Sequence, residues 1–191
     1  MNIISGQARN LELLSPAGEL VRPTPGRARK ALFDSLGDLT GKHFLDLCGG
    51  SGAMGLEAAS RNADFVTLVE KNPEHGDLIR RNIARLRRTG VAAEINLITS
   101  DIRNWTCFAA AVKSADIIFA DPPYADSAAL FAALWGDAAF RQSVRPESSI
   151  IWELPDTPGS AGDFVSATPD PEFWQLRRMG GNLFWCRGEK K

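Results

Sequence analysis

From residue 44 onward, short apolar runs alternate with stretches whose apolar residues recur every three or four positions. The runs at 44–48, 65–70, 94–99, 116–120 and 149–154 predict strands, because they are too short for buried helices and are rich in β-branched and aromatic residues. Between them, 53–61, 74–88, 105–112 and 127–134 carry helical spacing; in 74–88, Leu78, Ile79, Ile83 and Leu86 share one face. Strand–helix alternation predicts βαβ units and a mostly parallel sheet covered on both faces, an α/β fold. After Pro155 the pattern breaks into a Pro/Gly/Asp-rich stretch reaching Pro171. Residues 174–178 and 183–187 then flank Gly180-Gly181-Asn182 and predict an antiparallel hairpin closing one sheet edge.

Ahead of this alternation, 2–14 predicts a small β-hairpin around Gly6. Residues 22–25 predict an extended connector, since each proline turns its predecessor away from helix. Ala28, Leu32, Phe33 and Leu36 predict a helix over 27–36 that Gly37 stops. The expected organisation is an N-terminal hairpin-and-helix extension over 1–37 and one main domain over 38–191, with no internal repeat.

Composition narrows the class. A chain of 191 residues, 44% hydrophobic and 24% charged, suits one soluble domain. No apolar run approaches the roughly 18 residues of a membrane span. The first residues have neither the basic nor the apolar segment of a secretory signal. Cys48, Cys107 and Cys186 are far apart and odd in number, so neither a disulfide framework nor a metal site is expected. The expectation is a cytoplasmic protein without a metal or membrane partner. The net charge of −1 argues against a surface coated with positive charge but leaves room for a local basic patch. Arg22, Arg27 and Arg29 form one cluster; Arg80, Arg81, Arg85, Arg87 and Arg88 form another, which reads as a solvated helix face.

The turn after the first main-domain strand carries the first chemistry. Gly50, Gly52 and Gly55 match G-x-G-x-x-G, and Glu70 ends the next strand twenty residues after Gly50. The glycines let backbone approach a ligand closely, and Glu70 can accept from ribose hydroxyls. This pattern serves a dinucleotide or another adenosine cofactor. Asp46 tilts the choice. A pyrophosphate about 4 Å from a carboxylate is opposed by about 4 kcal/mol at an effective dielectric of 20, whereas the sulfonium and ammonium of S-adenosylmethionine are attracted. Asp101, after the third strand, is placed either to accept from an adenine amino group, with Ile102 against the ring, or to cap the following helix.

Asp121-Pro122-Pro123-Tyr124 follows the fourth strand, where ligand crevices open in parallel sheets. An exocyclic amino nitrogen on a base is a poor nucleophile because its lone pair is delocalised into the ring. Acceptors at its N–H groups, the Asp121 carboxylate and the Pro122 carbonyl, favour a lone pair directed at a methyl donor. The prolines stiffen the turn, and Tyr124, the only tyrosine, offers a stacking face.

With these motifs on one chain, the sequence resembles the Rossmann-like amino-methyltransferases. Arg22-Pro23-Thr24, Arg27-x-Arg29 and Leu32-Phe33 are similar to the R-P-T…R-x-R…L-F run of the bacterial 16S rRNA guanine-N2 methyltransferases, the RsmD family. The opening Ile3-Ile4-x-Gly6, Leu45-Asp46, Gly50-Ser51-Gly52-Ala53, Gly55-Leu56-Glu57-Ala58 and Ser60-Arg61 resemble it too, so the likeness covers about residues 1 to 125. Gly26 and Lys30 depart from it by replacing acidic positions. The resemblance implies a Rossmann-like class I fold with a seven-stranded, mostly parallel sheet. It implies S-adenosylmethionine as donor, held by Asp46, Gly50, Gly52, Glu70, Asp101 and Ile102. The acceptor it implies is a guanine N2 of 16S rRNA, alone or in the assembling small subunit, gripped by Asp121, Pro122, Pro123 and Tyr124 of a monomeric enzyme. Arg22, Arg27 and Arg29 are the candidate RNA contacts or a clamp over the cofactor. Three alternatives stand beside this reading: methylation of adenine N6, cytosine N4 or a protein glutamine, a nicotinamide-dependent oxidoreductase, and a cofactor-binding RNA chaperone without catalysis.

Overall fold

The computed structural model describes residues 1–16, 25–157 and 159–188. Seven strands form one sheet in the order β3-β2-β1-β4-β5-β7-β6. β1 (His43–Asp46), β2 (Phe65–Glu70), β3 (Glu94–Thr99), β4 (Ile117–Ala120) and β5 (Ser149–Leu154) are parallel. β6 (Trp174–Met179) and β7 (Asn182–Arg187) form the antiparallel hairpin, and β7 runs against β5. The chain order reverses between β1 and β4, so the carboxyl ends of these two strands flank a crevice. All four β4 residues are buried, as a strand covered on both faces requires.

α2 (Ala53–Ser60) and α3 (Pro73–Arg87) share one core with α1 (Gly26–Leu36) and the N-terminal segment, through Leu56, Ile79, Ile83, Leu32, Phe33, Ile3 and Leu13. On the other side lie α4 (Ala109–Ser114), α5 (Tyr124–Gly136), α6 (Ala138–Ser143) and α7 (Ser160–Ala167). There Phe131 packs its ring against Trp135, Trp152, Phe164 and Trp174 at centroid distances of 5.2 to 5.9 Å. Trp174 of β6 also stacks on Trp185 of β7 at 5.8 Å, so its contacts with Phe131 and Trp135 tie the C-terminal hairpin to α5. Local chemistry sets the helix starts: the Asn72 side chain accepts from the Glu74 N–H with Pro73 in the first turn of α3. Asp137 caps α6 by accepting from Ala139 and Phe140 N–H.

Several expectations need correction. Residues 2–14 do close on themselves, but as a minimal hairpin: Ile3 N–H donates to the Leu11 carbonyl at 2.9 Å and Leu13 N–H to the Met1 carbonyl at 2.7 Å, around the single antiparallel bridge of Asn2 with Glu12. The turn between its arms is held from α2: Ile4 and Ser5 N–H donate to the Glu57 carboxylate at 2.7 and 3.0 Å, and Ala8 N–H to Ser60 Oγ at 2.9 Å. The helix expected over 105–112 is a 3₁₀ segment, Ile102–Phe108, kinked at Asn104 and followed by α4. α5 starts at Tyr124 rather than 127, directly after the turn that Pro123 ends. α6 and α7 are additions to the expected helices; α7 lies in the Pro/Gly/Asp-rich stretch and is held by burial of Phe164. Of the connector at 22–25, only Pro25 lies within the described residues, with an extended φ of −53° and ψ of 138°. Among the described residues, no helix is long and apolar enough to cross a membrane.

Candidate active site

A cavity of about 850 Å³ opens at the carboxyl ends of β1, β2, β4 and β5. Its wall includes Gly50, Glu70, Asp101, Ile102 and Asp121 to Tyr124, so the structure brings these expected residues together. Glu153, at the end of β5, and Asn182, at the start of β7, complete the rim.

The glycine turn is built around two carboxylates. Gly50, at φ +54°, donates its N–H to Glu70 Oε2 at 2.7 Å; Asn72 N–H donates to Glu70 Oε1 at 2.8 Å. Glu70 is thus fixed at the cavity wall by backbone donors, with His75 Nδ1 3.7 Å from Oε1. Gly52 stands behind the wall at φ +82° and leads into α2, so its work is the turn itself. A Cβ on Gly55 would sit 2.8 Å from Leu68 Cδ2, which is why α2 can lie close on β2 only with glycine there. Asp46 is also behind the wall, 1% exposed, accepting from Cys48 N–H at 3.2 Å and Gly55 N–H at 3.3 Å. Burial pushes its carboxyl up to about 7, and the negative charges of Asp121 and Glu70 add to that rise. Asp46 thus braces the glycine turn from behind the cavity wall, not on its surface.

Asp101 caps the 3₁₀ segment that begins at Ile102. It accepts from Arg103 N–H at 2.9 Å as a cap, and it lines the cavity. Its carboxylate also holds the Arg103 guanidinium at 2.7 and 2.9 Å, and that contact brings its pKa down to about 2. Ile102 beside it is buried. Across the cavity, the Tyr124 ring is 44% exposed, and its hydroxyl lies 3.5 Å from Glu153 Oε1. Asn182 Nδ2 donates to the same oxygen at 2.6 Å.

The arginines divide. Arg29 is 2% exposed, 3.6 Å from Glu57 Oε2, and donates to the Asn2 carbonyl. It is an interior strut for the N-terminal segment, so its expected RNA contact is withdrawn: no phosphate can reach a guanidinium enclosed in the core. Arg27 is exposed and donates to the Gly180 carbonyl at 2.8 Å, latching the β6–β7 turn to α1. Arg22 lies outside the described residues. Sequence reasoning missed Glu153, Asn182 and Asn82; only Glu153 left a signal, as the acid closing the last parallel apolar run. Among the described residues, no group of three or more His, Cys, Asp or Glu side chains is placed to hold a metal ion.

A sheet of this order, with a glycine turn after β1 and Asp-Pro-Pro-Tyr after β4, defines the Rossmann-like class I methyltransferase fold. Residues 1–161 match the family described as "Conserved hypothetical protein 95", and the chain belongs to that family. It is 34% identical over 125 residues to "Ribosomal RNA small subunit methyltransferase D" of Escherichia coli strain K12; the match covers 65% of this chain and 60% of that relative, less than two thirds of its length. A hypothetical protein of Thermus thermophilus has a solved structure 31% identical to the chain, covering 99% of both, with a TM-score of 0.75. The structure titled "Putative methyltransferase yhhF from Escherichia coli" is 28% identical, covers 100% of this chain and 99% of that one, and has a TM-score of 0.68.

Proposed function

We propose that the protein transfers a methyl group from S-adenosylmethionine to the exocyclic N2 of a guanine in 16S rRNA. In this reading it acts as a cytoplasmic monomer on free rRNA or the assembling small subunit. The observation that carries the reading is the shared cavity: the Glu70-anchored glycine turn stands on one side and Asp121-Pro122-Pro123-Tyr124 on the other.

The residues fit this donor. Glu70, Asp121 and Glu153 line the cavity together with Asp101, whose charge Arg103 offsets, against the cations Lys71 and His75 when protonated. Burial is the main cause of the raised Asp46 pKa, and the charges of Asp121 and Glu70 add to it in the direction of a negative field in the cavity. Such a field attracts a ligand carrying sulfonium and ammonium charges and repels a pyrophosphate, which favours methyl transfer over the nicotinamide alternative. Glu70 would hold the ribose hydroxyls, and Asp101 and Ile102 the adenine. When bound, the donor supplies an electrophilic methyl carbon on a positively charged sulfur.

The chain's residues then prepare the nucleophile. The base stacks on Tyr124, worth about 1–3 kcal/mol. Asp121 Oδ and the Pro122 carbonyl accept the two amino N–H bonds and turn the nitrogen lone pair toward the methyl carbon. As the N–C bond forms, the C–S bond breaks and its electron pair stays on sulfur. The proton released from nitrogen passes to Asp121 Oδ or to water. Positioning supplies much of the rate, and no covalent enzyme intermediate is required.

The test is methyl transfer from labelled donor to small-subunit particles and 16S rRNA that lack the modification, followed by nucleoside analysis. N2-methylguanosine is expected, with Asp121→Ala lowering its formation at least about 100-fold, by analogy with removal of a preorganised hydrogen-bonding group. N6-methyladenosine as the product, or full activity of Asp121→Ala, overturns the reading.

A further inference from the structure

We infer that Glu153 selects guanine over other amino-bearing bases by accepting its ring N1–H beside the amine held at Asp121; this rests on the acceptor pocket proposed above. Ala120 of β4 is in register with Trp152 of the adjacent parallel strand β5. Asp121 is the first residue beyond β4 and Glu153 the one after Trp152 in β5, so they follow a matched pair on strands whose spacing is about 4.8 Å. Both line the cavity.

The bases differ at the atom next to the amine. Guanine carries a ring N1–H donor beside its 2-amino group. Adenine and cytosine carry a ring nitrogen with a lone pair beside theirs. A carboxylate near Asp121 gains a charge-assisted hydrogen bond from the first and meets the lone pair of the others with repulsion. Asp121 alone cannot draw this distinction, because all three bases offer it the same amino N–H.

Glu153 is also held in place. It is 2% exposed, Asn182 Nδ2 donates to its Oε1 at 2.6 Å, and the Tyr124 hydroxyl lies 3.5 Å from the same oxygen. Asn182 opens β7, so the antiparallel hairpin fixes the carboxylate, and Tyr124 links it to the stacking face. The arrangement reads two features of the base together, its flat face and its donor edge.

The test compares binding of guanosine 5′-monophosphate with 2-aminopurine riboside 5′-monophosphate, which keeps the 2-amino group but has a lone pair at N1. Affinities are read by NMR titration on protein saturated with S-adenosylhomocysteine. Wild type is expected to favour the guanine nucleotide by about 10-fold or more, within the range of one good base-edge contact. In Glu153→Gln, whose amide can donate to that lone pair, the preference is expected to fall to about 3-fold or less. The guanine nucleotide also carries O6, but this difference is common to wild type and variant and cancels in the comparison. Asn182→Ala, which keeps the carboxylate and loosens it, is expected to lower the preference at least about 3-fold. A wild-type preference near one, or one that neither variant lowers, overturns the assignment. Should the guanine preference behave as expected while no methyl reaches guanine in the particle assay, the proposed reaction fails and the role of Glu153 in base selection stands.

Discussion

Leu14 and Asn82 exchange two hydrogen bonds, Leu14 N–H donating to Asn82 Oδ1 at 2.8 Å and Asn82 Nδ2 to the Leu14 carbonyl at 2.9 Å. The same amide nitrogen donates to the Ser51 carbonyl at 2.9 Å. One fully buried side chain on α3 therefore ties the N-terminal segment to the glycine turn. In Asn82→Leu, three backbone groups lose their partner at once. Stability is expected to fall by about 2–4 kcal/mol, and S-adenosylhomocysteine should bind at least several-fold more weakly. Urea denaturation and calorimetric titration measure the two effects; unchanged cofactor affinity would show that the tie serves folding alone.

The Arg29–Glu57 pair is enclosed by the core, and burial lowers the Arg29 pKa while Glu57 opposes that fall. Glu57 also holds Arg61 at 2.8 Å, so removing Arg29 leaves that carboxylate paired but takes the donor from the Asn2 carbonyl, at a cost of about 1–3 kcal/mol. Arg29→Ala is expected to show this loss in denaturant midpoint. Arg29→Met, which refills the volume of the side chain, should recover part of it, because Glu57 keeps its pair with Arg61. A stable Arg29→Ala protein with weakened RNA binding would return this residue to the RNA-contact set.

Asp46 gives a pH signature. Its folded-state pKa is raised by burial to about 7, against about 3.9 in the unfolded chain. Between these values the folded protein holds a proton that the unfolded chain releases, so stability falls as pH rises from about 4 to 7 and levels off above. The full span corresponds to about 4 kcal/mol. In Asp46→Asn this component vanishes. Melting temperature followed from pH 4 to 8 should slope less steeply for the variant; parallel curves would show that Asp46 is ionised in the folded protein throughout.

Tyr124 presents a face to the cavity and a hydroxyl to Glu153. Tyr124→Ala is expected to lower kcat/KM for RNA by about 5- to 150-fold, the equivalent of one base stack. Tyr124→Phe keeps the face and should stay within a few-fold of wild type. Steady-state methylation of the particles tests both, and equal losses in the two variants would assign the contribution to the hydroxyl.

Much of the fold is legible in local pattern. Central strands such as β4 announce themselves because both faces are buried and the apolar run is unbroken. α3 does so because its period and its Asn72 cap agree. α7 is hidden because its sequence is weakly patterned and its formation depends on Phe164 finding Phe131 across the core. The N-terminal hairpin is legible too, but what holds its turn is not: Glu57, more than fifty residues away, accepts from the Ile4 and Ser5 N–H groups.

The same division runs through the site. Residue types and spacing on a single stretch of chain determined the glycine turn, the Glu70 anchor and Asp-Pro-Pro-Tyr, since each is a strand end followed by a turn with its own local chemistry. Tertiary structure alone decided that Arg29 is interior, that Asp46 lies behind the wall, and that Asn182 and Tyr124 converge on Glu153. Those roles depend on burial and on contacts between distant elements, and side chains from β5 and β7 come within hydrogen-bonding distance only when the sheet closes.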